Sequence, residues 1–151
     1  MDQNNFKQNE DLLEFNRLNQ KINECYHEVA AKQKLSDSAF WILLCILDLG
    51  DGCLQKDICS FLCMNKQTVN SSVRNLEKNG FISLKPGTGR RMQIYLTESG
   101  RSLMEEKIYP VAKAESQVFD EMPVSDRKEL LRLTNAYLVQ FRKKVKEAGI
   151  T

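Results

Sequence analysis

The sequence has a single histidine and lacks the short motifs by which several classes of enzyme are recognised. It contains no glycine-rich phosphate-binding loop and no HExxH metal-binding helix. No serine or cysteine stands in a recognisable nucleophile motif, and His27 alone leaves little capacity for acid–base catalysis. We therefore expect a protein that is not an enzyme and that carries neither a metal nor another cofactor.

Long hydrophobic runs are also absent. The longest, residues 39–47, has nine residues, about half of the roughly 20 that a membrane-spanning helix requires. The first five residues are polar and lack the basic and then apolar pattern of a signal peptide. The sequence therefore predicts a cytoplasmic protein without a membrane partner.

The five cysteines contain no CxxC motif, and their odd number argues against a framework of disulfides. Four of them lie close together in sequence: Cys45, Cys53, Cys59 and Cys63. One interpretation is a thiolate metal site or a redox switch. The pattern favours the other, in which all five are small apolar residues of the core, because free cysteine is commonly buried.

The net charge of +2 conceals an uneven distribution of charge along the chain. Residues 1–52 carry a net charge of −4, residues 53–101 carry +5 and residues 102–151 carry +1. A local excess of lysine and arginine is typical of a surface that binds a polyanion. On charge alone, an ordinary solvent-exposed basic face explains the excess equally well.

The basic third of the chain predicts a helix-turn-helix followed by a wing. Residues 54–62 have the apolar spacing of a short helix, and residues 63–65 interrupt it. Asn65 can cap a second helix over residues 66–78, and Gly80 can end it. Two strand-like segments, 81–84 and 92–96, then flank a turn-rich tip and form a β-hairpin.

Helices are predicted on both sides of this core. A first helix carries one apolar stripe, and a second, capped by Ser36 or Asp37, is apolar on every side and should lie at the centre of the fold. After the hairpin, Thr97 can cap a long helix in which Pro110 should cause a kink. Ser125 can cap a last helix with an apolar stripe. The fold class is therefore mainly α with a small β-hairpin wing.

The second helix of the helix-turn-helix has the side chains that a DNA recognition helix needs. Short polar and basic residues near its N-terminus can reach base edges in the major groove; they are Lys66, Gln67, Thr68, Asn70 and Ser71. Arg74 extends this face, and both Arg74 and Asn75 lie where contact with phosphate is expected. The alternative is that these are ordinary solvent-facing helix residues.

Four further cations complete the predicted DNA-binding set. Arg90 and Arg91 stand at the hairpin tip, from which an arginine can enter a narrow minor groove. The alternative for the tip is a solubilising turn. Lys56 and Lys85 are candidates for phosphate contacts, whose strength falls as salt rises.

These segments resemble the winged-helix core of the multiple antibiotic resistance regulator (MarR) family. The matching stretches are LQKDI at 54–58, NKQTV at 65–69, NLEKNGFI at 75–82, and Arg90 six positions before LTESG at 96–100. The flanking helices match as well, so the resemblance covers nearly the whole chain. One departure is visible: the family wing usually carries Asp-x-Arg, whereas this wing has Thr88-Gly89-Arg90.

The resemblance implies a single domain over residues 1–151 that forms a homodimer. Dimerisation helices would span 8–33 and 98–147, and the winged helix-turn-helix core would span 36–97. Two such cores would bind a pseudo-palindromic operator on double-stranded DNA, and a small-molecule or redox signal would change their spacing. Three aromatic residues could line the effector pocket or simply fill the core: Tyr26, Phe40 and Trp41.

The leading hypothesis is thus a sequence-specific, dimeric transcriptional repressor. A winged-helix module that binds a protein and no DNA is one alternative, because a fold does not fix a function; a thiol-based redox sensor is another. A DNA reader should gather its cations on one face, and the residues concerned are Lys56, Lys66, Arg74, Lys85, Arg90 and Arg91.

Overall fold

The computed structural model describes residues 7–89 and 91–150, which fall into two compact units divided between Tyr109 and Pro110. The first contains α1 (Glu10–Lys32), α2 (Asp37–Leu49), β1 (Cys53–Leu54), α3 (Gln55–Leu62), α4 (Lys66–Lys78), β2 (Ile82–Pro86), β3 (Met92–Leu96), α5 (Glu98–Leu103) and a π-helical turn (Met104–Ile108). The second contains nearly all of α6 (Tyr109–Glu121) and α7 (Val124–Glu147). No helix in the described ranges is both long enough and apolar enough to cross a membrane.

Helix α2 lies at the centre of the first unit, as its uniformly apolar sequence predicts. Ser36 caps it by accepting the Ala39 N–H at 3.2 Å. Phe40, Ile42 and Leu43 are completely buried, because α2 is covered by α1, α3, α4 and the π-helical turn. A helix that is apolar on every side is stable only in such a position.

The helix-turn-helix is confirmed, with one correction at its start. Asn65 caps α4 by accepting the Thr68 N–H at 2.8 Å, and Gly80 follows the helix with a φ of +75°, which glycine adopts without strain. Leu54 was predicted to begin the first helix of the helix-turn-helix but belongs to β1. It pairs there with Gln93, and Asp57 accepts its N–H at 3.1 Å ahead of the first turn of α3.

The hairpin is also confirmed, and it is part of a three-stranded antiparallel sheet of order β1-β3-β2. Cys53 of β1 pairs with Ile94, which in turn pairs with Leu84 of β2. Ile82 and Ile94 point into the core. The strand β1 was not predicted, because two residues are too few to show an alternating pattern.

The C-terminal helices contain one feature that was not predicted and one that corrects a prediction. Pro110 has no N–H to donate and its ring crowds the preceding turn. The long helix contains a π-helical turn directly before Pro110, in which the Tyr109 N–H donates to Met104 O. The last helix is not capped by Ser125. Pro123 precedes its first residue, Val124, because proline already has a φ close to the helical value.

Candidate nucleic-acid interface

Helix α4 separates a buried face from a polar one. Val69, Val73 and Leu76 are buried against α2, and a hydroxyl contact of 2.7 Å between Ser38 and Ser72 joins the two helices. The predicted recognition residues lie away from this stripe. Most are exposed, and Thr68 and Asn70 are half-buried. The helix is therefore fixed to the core while its polar face remains accessible.

A cleft of about 620 Å³ lies between the start of α3, the polar face of α4 and the wing. Four cations line it, together with Asn70: Lys56, Lys66, Arg74 and Arg91. They come from three separate stretches of sequence, and none of the four makes an ion pair among the described residues. Such a concentration of positive charge attracts a polyanion and releases its counterions on binding.

Five other predicted DNA-binding residues, all of them described, do not line this cleft. Gln67, Thr68, Ser71 and Asn75 lie on α4 outside it, and the Asn75 side chain accepts a bond from Asn79 at 3.3 Å. The Lys85 ammonium lies 4.8 Å from the centre of the Tyr95 ring, a cation–π contact. Arg90 lies outside the described residues. Of the five described cations expected on one face, four thus line the same cleft and Lys85 does not.

Sequence reasoning missed several residues of the cleft, notably Gln55, Glu77 and Met92. Glu77 could have been found, because it follows Lys66, Asn70 and Arg74 along one row of the helix at intervals of three or four. Among the described residues, it is the one acid that lines this otherwise basic cleft. An acid at that position can bind a neighbouring arginine or accept from a cytosine amino group.

The three aromatic residues suggested for an effector pocket are in contact. The ring centroids of Tyr26 and Trp41 are 4.6 Å apart, and those of Phe40 and Trp41 are 5.9 Å apart. Phe40 is completely buried, whereas Tyr26 and Trp41 are half-buried. The cluster lies between α1 and α2, and two of its rings reach the surface.

The cysteines differ from one another more than the sequence suggested. Cys45 and Cys53 are buried, but Cys25 and Cys63 are exposed, so the expectation that all five are core residues is wrong. Cys63 occupies the turn of the helix-turn-helix with a φ of +52°, and Cys25 lies on the outer face of α1. Burial raises the pKa of both Cys45 and Cys53 to about 11; neighbouring carboxylates add to the effect at both, and the Cys53 thiol adds to it at Cys45.

We expect Cys63 to react with iodoacetamide within minutes at pH 8 while Cys45 and Cys53 remain unmodified in the folded protein. At a pKa of about 11, only about 0.1% of such a thiol is the reactive thiolate at pH 8. Peptide mapping by mass spectrometry checks this, with urea-unfolded protein as the control in which all thiols react. Rapid labelling of Cys45 in the native protein would contradict the described burial.

Comparison with known proteins bears directly on this winged-helix architecture. A family model for the MarR family matches residues 33–92, which include the helix-turn-helix, β2 and the first residue of β3. The chain is 26% identical over 107 residues to YwoH, an HTH-type transcriptional regulator of Bacillus subtilis (strain 168); the match covers 70% of this chain and 77% of YwoH.

Solved structures show the same fold. The MarR family regulator NMB1585 of Neisseria meningitidis superposes with a TM-score of 0.73 at 21% identity, covering 89% of this chain and 98% of that one. S. aureus MepR, solved in complex with DNA, gives 0.69 at 19% identity over 84% and 93%. BpsR of Bordetella bronchiseptica, whose DNA binding is regulated by 6-hydroxynicotinic acid, gives 0.63 at 19% identity over 90% and 98%.

The helix-turn-helix, the three-stranded wing and the match of the family model therefore agree. Over residues 33–92 the chain is similar to the MarR family of transcriptional regulators, and its fold is that of solved MarR structures.

Proposed function

We propose that this protein is a homodimeric repressor that binds a pseudo-palindromic operator through α4 and the wing. The observation that carries the proposal is the cleft in which Lys56, Lys66, Arg74 and Arg91 surround Asn70. A dimer bound to a promoter excludes other proteins from it, so repression is the expected outcome. The solved complex of S. aureus MepR with DNA supports a DNA partner for this fold, and a DNA partner implies a cytoplasmic location.

Each part of the surface has a different role in this proposal. The first three turns of α4 read base edges in the major groove, through Lys66, Gln67, Thr68, Asn70, Ser71 and Arg74. Arg90 and Arg91 of the wing enter the adjacent minor groove. Lys56, Lys85 and Asn75 contact phosphates and fix the register without reading sequence.

The proposal of a dimer is supported by apolar side chains that remain exposed in both units. On α1, Phe15, Leu18 and Ile22 are 37%, 49% and 54% exposed. The second unit exposes a longer series, which includes Leu130, Leu131, Leu133, Tyr137, Leu138, Val139 and Phe141. Soluble monomers seldom expose many large apolar side chains close together, and such surfaces usually mark an interface. The occupant that explains them is a second copy of the chain.

We expect the protein to sediment at twice its 17.4 kDa chain mass and to select inverted repeats from random DNA, with half-sites about 10 base pairs apart. Leu138→Glu should yield a monomer that no longer selects inverted repeats, because it places a carboxylate in the interface. Analytical ultracentrifugation and sequencing of the bound DNA measure both effects.

The matched control is Lys128→Glu, which introduces the same side chain at an exposed position of the same helix. It should remain a dimer. A monomeric wild-type protein, or enrichment of single half-sites without dyad symmetry, would contradict the proposed assembly.

We further propose that a small aromatic molecule modulates DNA binding at the cluster of Tyr26, Phe40 and Trp41. Two of its rings reach the surface. In BpsR, which has a similar fold, 6-hydroxynicotinic acid regulates DNA binding.

Trp41 is the single tryptophan of the chain, so its fluorescence reports on this cluster alone. Titration with planar aromatic acids, beginning with 6-hydroxynicotinic acid, should change that fluorescence and the affinity for DNA together. A change in DNA affinity without a change in fluorescence would place the effector elsewhere.

A further inference from the structure

The base of the wing is held by one carboxylate that the sequence did not single out. Asp51 lies in the loop between α2 and β1, and its Oδ1 accepts the N–H of Leu96, the last residue of β3, at 2.8 Å. Its Oδ2 accepts a hydrogen bond from the guanidinium of Arg101 on α5. In the same loop the Gly52 N–H donates to Ile94 O at 2.8 Å. One side chain thus joins the loop, the end of the wing and the helix that follows it.

The charge of Asp51 suits this role. Its side chain is 28% exposed, against 58% for Arg101. Partial burial alone would raise the pKa of Asp51. The Leu96 N–H, the Arg101 guanidinium and the Lys85 ammonium together lower it by more than burial raises it, so the pKa lies below its ordinary value. The wing itself, residues 82–96, contains basic residues and no acid. Asp51 therefore supplies from outside the wing a negative charge that the wing lacks.

The tie is placed where it controls the far end of the wing. Arg91 directly precedes β3, and the tie is at the opposite end of that five-residue strand, about 17 Å away at the usual rise per residue. If the wing tilted by about 10° around its base, its tip would move by roughly 3 Å, which equals the donor–acceptor distance of a hydrogen bond. A small freedom at the base therefore shifts Arg91 relative to α4, together with β1, which pairs with Gln93 and Ile94 and continues the loop that carries Asp51.

We propose that Asp51 is a positioning residue for DNA binding, which sets the angle of the wing, and with it Arg91, through its bonds to Leu96 and Arg101. The inference rests on the proposed function of the cleft as a DNA-binding surface. Asp51 acts through the wing and touches no DNA itself.

A double-mutant cycle between Asp51 and the wing tip tests the proposal. Asp51→Asn keeps an oxygen that can accept from Leu96 but removes the charge that pairs with Arg101. We expect it to weaken binding to a selected DNA site about 10-fold, the loss expected when a charge-assisted contact is misplaced. In a background of Arg90→Ala and Arg91→Ala, where the wing has no arginine to position, the same change should have less than a twofold effect. Fluorescence anisotropy with labelled DNA measures all four proteins.

Arg101 provides an independent version of the cycle should Asp51→Asn lower the melting temperature. Arg101→Met leaves the bond from Asp51 to Leu96 and should reproduce the loss, whereas Arg101→Lys restores a cation and should recover most of the affinity. Equal losses in the presence and absence of the wing arginines would overturn the proposal, because a general effect on the fold is additive. Unchanged affinity in both Asp51→Asn and Arg101→Met would overturn it as well. A wild-type protein that binds no DNA is a distinct result, which overturns the proposed function itself.

Discussion

Replacing Gly100 by alanine is expected to destabilise the protein by about 3 kcal/mol, the upper part of the range for overpacking a tight site. A Cβ on Gly100 would collide with the carbonyl oxygen of Phe81 and lie 2.9 Å from its carbonyl carbon and 3.3 Å from Leu96 Cδ2. Two of these neighbours are backbone atoms that cannot rotate away. The direction of the change is informative, because replacing a glycine inside a helix by alanine ordinarily stabilises a protein by about 1 kcal/mol.

The junction around Gly100 explains why the backbone cannot retreat. Thr97 donates its hydroxyl to Gly80 O at 2.6 Å and its N–H to Phe81 O at 3.1 Å. The same hydroxyl accepts the Gly100 N–H at 2.9 Å and so caps α5. The end of the recognition helix, the start of the wing and α5 are therefore joined at this point.

Urea denaturation followed by circular dichroism measures the effect of Gly100→Ala. Ser99→Ala, on the exposed side of the same helix, is the matched control and should change the free energy of unfolding by less than about 0.5 kcal/mol, as is usual for surface substitutions. An increase in stability of Gly100→Ala would show that the two backbones are not in contact.

Removing both Lys66 and Arg74 is expected to weaken DNA binding on the order of 100-fold at about 0.1 M salt and to reduce the dependence on salt. Both cations line the cleft, and each cation brought against the DNA, at a base edge or at a phosphate, displaces counterions and contributes about one unit to the slope of log K against log salt. The double alanine variant should therefore lose about two units of slope per chain. Titrations of labelled DNA at several salt concentrations measure both quantities.

Lys78→Ala is the matched control for this pair. Lys78 is an exposed cation in the last turn of α4 and does not line the cleft, so its loss should leave the slope nearly unchanged. Asn70→Ala should behave differently again, by relaxing the base preference while leaving the slope intact, because a neutral amide releases no counterion. If replacing Lys66 and replacing Lys78 weakened DNA binding equally, binding would depend on net charge and not on the cleft.

Much of the fold follows from local pattern. The central position of α2 was predicted from its lack of a polar face, and the start of α4 from the capping ability of Asn65. The errors occur where local signals compete. A π-helical turn accommodates Pro110. Helix α7 begins at Val124 with Pro123 in the capping position, although Ser125 is by type the better capping residue.

The candidate site was predictable only where helical spacing determines it. Lys66, Asn70 and Arg74 follow from the period of α4. Lys85 lies against the Tyr95 ring of the neighbouring strand, and local sequence does not show the register that brings the two together. Asp51 could not have been found in this way. Its partners are 45 and 50 residues distant in sequence, and no local pattern carries information about so remote a contact.

The central claim is that the cleft between α4 and the wing binds DNA with sequence preference, and titration of the purified protein with a labelled fragment of its own promoter tests it most directly. At low salt, we expect saturable binding that competitor DNA of scrambled sequence displaces poorly, and a steep fall in affinity as salt rises. The absence of binding at low salt, or equal displacement by specific and scrambled DNA, would contradict the account and favour a winged helix that binds a protein instead.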